Sequence, residues 1–227
     1  MIQLHKRIPV LTLGITISCS IFFNSCSKDD DPQADHPNLL LQENFDSPEN
    51  ATWKPGDSGA AATLIRNGWC VMSYTSDDYG TYNKWATENI FPAGLQTGSV
   101  EILMRHTAGH EYDKAGLLFW LNDQQNYVAF TIGDKDYRIY QVMSGQATNL
   151  VDWTPSGAIR GQLNEDNKLK VTLTDTKLVF HINDQKVIEM SRGAMTTLDK
   201  VGFQLYKAST TTNKSSYEID YITAMRQ

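Results

Sequence analysis

The chain has 227 residues, 41% of them hydrophobic and 20% charged, with three cysteines and a formal net charge of −6. That is long and apolar enough for one domain with its own core. A surface this acidic argues against nucleic acid and anionic lipid headgroups as ligands and leaves neutral or cationic partners open.

In chain order, the first signal is an export leader over residues 1–25. His5, Lys6 and Arg7 form a positive head, and Ile8 to Phe23 is an apolar stretch broken only by small or hydroxyl residues and Pro9. It falls short of the roughly 20 apolar residues of a membrane-spanning helix and fits a cleaved signal. Phe23-Asn24-Ser25-Cys26 resembles a lipobox, with Ser25 as the small residue before the cysteine. The resemblance implies lipidation of Cys26. Cys19 is a second candidate, although cleavage there would leave Ile21-Phe22-Phe23 on the mature end. Ser27-Lys28-Asp29-Asp30-Asp31 resembles the acidic surface-export signal of some Gram-negative lipoproteins. It implies an outer-membrane lipoprotein facing outward, touching the membrane only through its anchor. Loss of residues 1–25 removes Lys6 and Arg7 and no acid, leaving 18 basic against 26 acidic residues and a net charge of −8. Cys70 then stands alone, without an intramolecular disulfide partner. Its strand-like setting, Trp69 to Tyr74, reads as a place for a buried small hydrophobe.

Residues 26–38 are rich in Asp, Pro, Gln and Asn and read as a flexible tether. From 39 to 227 the pattern changes to short β-type runs with turn residues every 8–12 positions or so, as in an all-β sandwich. Runs are predicted at 62–65, 69–74, 99–106, 116–121, 127–132, 137–143, 168–174, 177–183, 201–206 and 217–224, with Asn67-Gly68 as a strong hairpin turn. The connections are too short for the crossover helices of a parallel sheet. An Asp175-Thr176 turn pairs Leu173 with Leu178, Val171 with Phe180 and Leu169 with Ile182, all on one face.

The meander of residues 116–151 is the most informative segment. A connection at Asn122–Gln125 pairs Trp120 with Tyr127 and Phe119 with Val128. Turns at Gly133–Asp136 and Ser144-Gly145 then pair Ile132 with Tyr137, Thr131 with Arg138, Ala129 with Tyr140, Val142 with Ala147, Tyr140 with Asn149 and Ile139 with Leu150. Alternation gathers Leu117, Phe119, Val128, Phe130, Ile139 and Leu150 on a core face. It gathers Trp120, Tyr127, Arg138, Tyr140 and Asn149 on the other. Amphipathic rings beside an Arg and an amide are what a saccharide site needs, for stacking on the C–H face of a sugar and bonding its hydroxyls. Two readings fit this second face: a ligand platform, and an ordinary packed face covered by the loops of residues 76–96.

The stretches 115–120, 126–130, 137–140, 167–171, 178–183 and 200–203, with Glu43-Asn44-Phe45-Asp46 and Trp53 near the start and Tyr217 to Ile222 near the end, resemble concanavalin A-like lectin/glucanase domains, laminin-G-like modules included. The resemblance covers residues 39–227. It implies a jelly-roll sandwich of two curved antiparallel sheets, paired terminal strands and a glycan-binding concave face. A glucanase of this kind presents Glu-x-Asp-x-x-Glu on one strand. Here the nearest text is Glu218-Ile219-Asp220-Tyr221-Ile222-Thr223, with Thr223 where the second Glu belongs, so retaining hydrolysis is not supported. His106, His110 and Glu111 offer metal or acid–base chemistry in principle, but their spacing reads as an exposed loop. Asp77-Asp78 and Glu165-Asp166 read as solvated turns. No cofactor is required; oxygens of Glu43 or Asp46 with Asp220 could hold the calcium that pins first to last strand in related sandwiches, and nothing in the spacing demands it. The reading is therefore a non-catalytic module for a polysaccharide or glycoconjugate. Its rivals are a glycoside hydrolase or lyase of the same superfamily and a protein-interaction subunit of a surface complex.

Overall fold

Turn chemistry accounts for much of the architecture in the computed structural model, which describes residues 37–227. The leader, Cys26 and all of the tether before Pro37 lie outside the described residues. The strands are β1 (Leu39–Glu43), β2 (Gly56–Asp57), β3 (Ala61–Arg66), β4 (Trp69–Thr75), β5 (Gly80–Trp85), β6 (Gly98–Ala108), β7 (Lys114–Asp123) and β8 (Asn126–Ile132). They continue with β9 (Asp136–Met143), β10 (Gln146–Pro155), β11 (Asp166–Leu173), β12 (Lys177–Ile182), β13 (Gln185–Ser191), β14 (Lys200–Lys207) and β15 (Lys214–Arg226). No α-helix occurs among the described residues.

Two sheets form. The larger runs β13-β12-β11-β6-β15-β4-β3-β2, with β1 also paired to β15; the smaller, of six strands, runs β10-β9-β8-β7-β14-β5. Three hairpins turn through residue pairs with positive φ: Asn67 (53°) and Gly68 (76°), Ser144 (51°) and Gly145 (77°), Asn183 (49°) and Asp184 (66°). Left-handed backbone at both central positions matches the right-handed twist of the flanking strands. The terminal strands pair as the resemblance implies, Leu39 opposite Met225 and Glu43 opposite Ile222.

The core lies between the sheets. The predicted hairpin register of β11 and β12 holds, and Leu169, Val171, Leu173, Leu178, Phe180 and Ile182 are all fully buried. The opposing sheet contributes Leu117, Phe119, Val128, Phe130 and Ile139, as expected, with Leu150 half-buried against them. Phe130 meets Phe180 edge to face at 5.1 Å, joining the two layers, and Trp53 stacks on Phe203 at 4.7 Å. Burying one such aromatic contributes about 1.5–3 kcal/mol. Cys70 is buried, and burial pushes its thiol up to about 12, so it packs as an unreactive small apolar group.

Two expectations about register fail. Phe119 does pair with Val128, but the next partners are Asp123 and Asn126, so β7 runs on past Asn122 and the turn is Gln124-Gln125. The intervening irregularity centres on Trp120, held at φ 47° with its N–H donating to Leu198 O at 2.8 Å. Ile139 pairs with Val151 rather than Leu150, because β10 carries two irregularities between Asn149 and Thr154.

Candidate functional site

The outward face of the six-stranded sheet is built in rows across the strands. One row reads Trp85, Gly202, Leu118, Ala129, Tyr140, Asn149, and the next reads Asn83, Gln204, Gly116, Thr131, Arg138. A third begins Thr81, Tyr206, Lys114. Small residues in the middle of these rows leave space above the sheet. Gly116 shows why: a Cβ there would lie 2.0 Å from the Phe130 carbonyl oxygen, so the floor is bare backbone held close to its neighbour. The result is an open groove of about 480 Å³.

Five partly or fully buried apolar residues, Leu118, Leu121, Tyr127, Ala129 and Val142, form a small second cluster on this face, with Trp85 and Tyr140 against it. Tyr127 and Tyr140 meet edge to face at 6.3 Å. The Tyr140 hydroxyl donates to Gln204 Oε1 at 2.6 Å, and Gln204 Nε2 donates to Asn83 Oδ1 at 2.8 Å. Burial raises the Tyr140 phenol well above its ordinary value, so it remains a donor at every physiological pH. This chain fixes the ring and the amide in one orientation before any ligand arrives.

At the β10 edge, Trp153 projects into the groove with 39% of its surface exposed. Arg138 lies between two rings, its guanidinium 4.4 Å from Tyr140 and 5.7 Å from Trp153. Its Nε donates to Asn149 Oδ1 at 2.7 Å, and Asn149 in turn donates to Asp152. Lys114 sits 4.8 Å from the Trp153 ring and pairs with Asp136 at 2.9 Å. Such packing of cations on rings holds both in place. The surface thus offers a flat aromatic wall, an amide and hydroxyl floor, and cationic donors. No Asp or Glu is among the residues that line it.

Of the five residues expected to share this face, four do: Tyr127, Arg138 and Tyr140 line the groove, and Asn149 lies beside it, bonded to Arg138. Trp120 does not. Its left-handed backbone breaks the alternation, and it packs against the inter-sheet core while lining a separate depression with Asn122, Asn126, Met143 and Asp199. Trp153, Lys114, Gln204 and Tyr206 complete the groove and were not anticipated. The 76–96 segment is no cover: it supplies β5, which extends the same sheet, with Thr81 at the groove and Trp85 against the small cluster.

The other chemical candidates lie elsewhere. Glu218 pairs with Arg105 at 2.7 Å on the outer side of the nine-stranded sheet, since its neighbours Tyr217 and Ile219 point into the core. Asp220 sits at an irregularity of β15, and burial raises its carboxyl, with Asp166 adding to the effect. His106 stacks on Tyr217 at 4.4 Å and bonds the Ala108 carbonyl, with burial lowering its pKa, whereas the His110 ring nitrogen Nδ1 accepts from Tyr112 N. Among the described residues no three His, Cys, Asp or Glu side chains gather to hold a metal. Glu43, one of the two calcium candidates beside Asp46, accepts hydrogen bonds on both carboxylate oxygens, from Phe45 N at 2.7 Å and Asn50 Nδ2 at 2.5 Å.

No protein-family model and no curated protein sequence matches the chain. Solved structures do match in fold. A β-glucanase from Bacillus licheniformis superposes with a TM-score of 0.62 at 9% identity, covering 84% of this chain and 99% of that one. The catalytic domain of an endo-1,3-β-glucanase (laminarinase) from Thermotoga petrophila gives 0.59 at 12% identity, covering 83% and 97%. The carbohydrate-binding module CBM66 from Bacillus subtilis gives 0.50 at 10% identity, covering 77% and 92%. The fold is the concanavalin A-like jelly roll, a scaffold that serves both sugar cleavage and sugar binding in these proteins.

Proposed function

We propose that this chain is a non-catalytic glycan-binding protein that holds a polysaccharide or glycoconjugate in the groove of its six-stranded sheet. The observation that carries the reading is the composition of that groove: Trp153 and Tyr140 as stacking surfaces, Gln204 and Arg138 as fixed donors, and no carboxylate on the lining. Hydrolysis of a glycosidic bond in its usual form uses two carboxyl groups flanking the scissile bond. Here the pair closest to the glucanase motif, Glu218 and Asp220, belongs to the opposite sheet, with Glu218 committed to Arg105. The fold of the glucanases keeps hydrolysis as the second reading. Release of new reducing ends from a polysaccharide panel separates the two.

The lipobox-like Phe23-Asn24-Ser25-Cys26 completes the proposal. A lipid on Cys26 tethers the domain at the outer face of the outer membrane, where it meets extracellular glycan; two acyl chains give stable anchoring. Metabolic labelling with a fatty-acid analogue, lost in Cys26→Ala, tests the anchor. A glycan panel tests the groove. Binding that Trp153→Ala removes supports the reading, and binding that survives it moves the site elsewhere.

A further inference from the structure

We infer that the glycan held in this groove is acidic, a uronate-bearing polymer whose carboxylate is gripped by Arg138. The inference rests on the groove being a glycan site and goes on to name the class of glycan. Net charge points the other way, since the chain as a whole carries −6. Charge is not evenly spread, however. The two ionisable side chains of fixed charge lining the groove are Lys114 and Arg138, both cations, with no acid among the lining residues. Lys114 is offset by Asp136 at 2.9 Å. Arg138 is not offset: among the described residues no carboxylate lies within ion-pair distance of it, and its one hydrogen bond leaves through Nε to Asn149.

That bond and the two flanking rings orient the guanidinium while leaving its terminal nitrogens Nη1 and Nη2 without a protein partner among the described residues. A planar fork held at one end, half-buried and open at the other, has the geometry of a bidentate carboxylate receptor. The neighbours favour a sugar acid over a free anion. Trp153 and Tyr140 supply ring faces beside the fork, and a pyranose places its carboxyl at the rim of the ring that stacks. Elsewhere some cations are paired, Arg105 with Glu218, Lys168 with Asp184, Lys170 with Glu101, Lys177 and Lys186 with Glu189, and others, such as Arg66 and Arg160, carry no ion pair among the described residues. What sets Arg138 apart is its place: it lines the groove, flanked by Tyr140 and Trp153, with its fork free of protein partners among the described residues.

The test uses the purified full-length chain and a panel of polygalacturonate, alginate and hyaluronan, each beside its fully methyl-esterified form, together with neutral glucans, mannans and galactans. Esterification removes the charge and keeps the rings. At least one acidic polymer is expected to bind about tenfold or more tighter than its ester, the size of a charge-assisted contact. That preference should shrink as salt rises towards a screening length of about 3 Å at 1 M. In Arg138→Met the ratio between acid and ester falls to near one, and in Arg138→Lys, which keeps charge and loses the fork, it falls part of the way. Thermal unfolding confirms that both variants are folded. Equal binding of acid and ester, or a preference that persists in Arg138→Met, overturns the inference. Groove binding confined to neutral polymers and lost in Trp153→Ala overturns it while leaving the glycan reading standing. Failure of every polymer to bind removes both.

Discussion

The outer faces of the two sheets are made from the same alternation and end up chemically opposite. On the nine-stranded sheet, long charged side chains lie in pairs, Arg105 with Glu218 and Lys170 with Glu101, and the Tyr221 hydroxyl donates to Glu101 at 2.8 Å. These charged groups find their partners on an adjacent strand, although Asp166 Oδ1 and His181 Nδ1 on the same sheet have none among the described residues. On the six-stranded sheet, Gly202, Ala129 and Gly116 leave parts of the rows small or bare, rings stand beside them, and an arginine fork is held by one nitrogen. Self-pairing makes a solvated wall, whereas orientation without full pairing makes a receptor. This is preorganisation, which lowers the entropy lost when a ligand binds.

The largest effect expected on binding concerns the receptor. Trp153→Ala, at a residue whose loss opens no core cavity, should weaken glycan binding about 30-fold or more, a hot-spot loss near 2 kcal/mol, with little change in unfolding temperature. Gly116→Val tests the bare floor. Its side chain meets the β8 backbone, and the fold should lose about 3 kcal/mol, read as a fall of the denaturant midpoint. On the opposite face, Arg105→Met leaves the largely buried Glu218 carboxylate unpaired and should cost about 1–2 kcal/mol while glycan affinity stays at the wild-type value. A change of affinity there would erase the distinction between the faces.

A smaller effect depends on pH. Burial lowers the pKa of His106 below the ordinary 6.5, so the folded state holds this ring neutral while the unfolded chain takes up a proton. Its contribution to stability is therefore fully present above pH 6.5 and is lost as the pH falls through the folded value. His181 shifts in the same direction, through burial first and then Lys170 and Lys186. Replacing His106 with Phe, which keeps the stack on Tyr217, should make the acid-side decline of the unfolding temperature shallower. The smallest effect belongs to the exposed Lys177–Glu189 pair, where Lys177→Ala should move stability by no more than about 0.5 kcal/mol.

Much of this was legible because hairpin turns carry local instructions. Asn67-Gly68 and Asp175-Thr176 set the registers of their own hairpins, while the Gly133–Asp136 and Ser144-Gly145 turns set those of the meander, from which Tyr127, Arg138, Tyr140 and Asn149 followed by alternation. Trp120 was lost at the point where alternation stops applying. One residue in left-handed backbone changes the facing of its side chain, and no composition signal marks a tryptophan for that conformation. Trp153 stayed hidden for a related reason, since two irregularities in β10 separate it from the last residue with a readable partner. Lys114 shares the parity of Gly116 and Leu118, so extending the same count two residues back reaches it. Gln204 and Tyr206 needed more, because β14 enters between β5 and β7 through long-range pairing that no turn encodes.

The most direct measurement is an amide chemical-shift map of the labelled protein titrated with an oligosaccharide from whichever polymer binds. The account predicts shifts concentrated at Gly116, Thr131, Arg138, Trp153 and Gln204, with Glu101, Arg105 and Glu218 unmoved. Shifts centred on β6 and β15, or none in the six-stranded sheet, would contradict it.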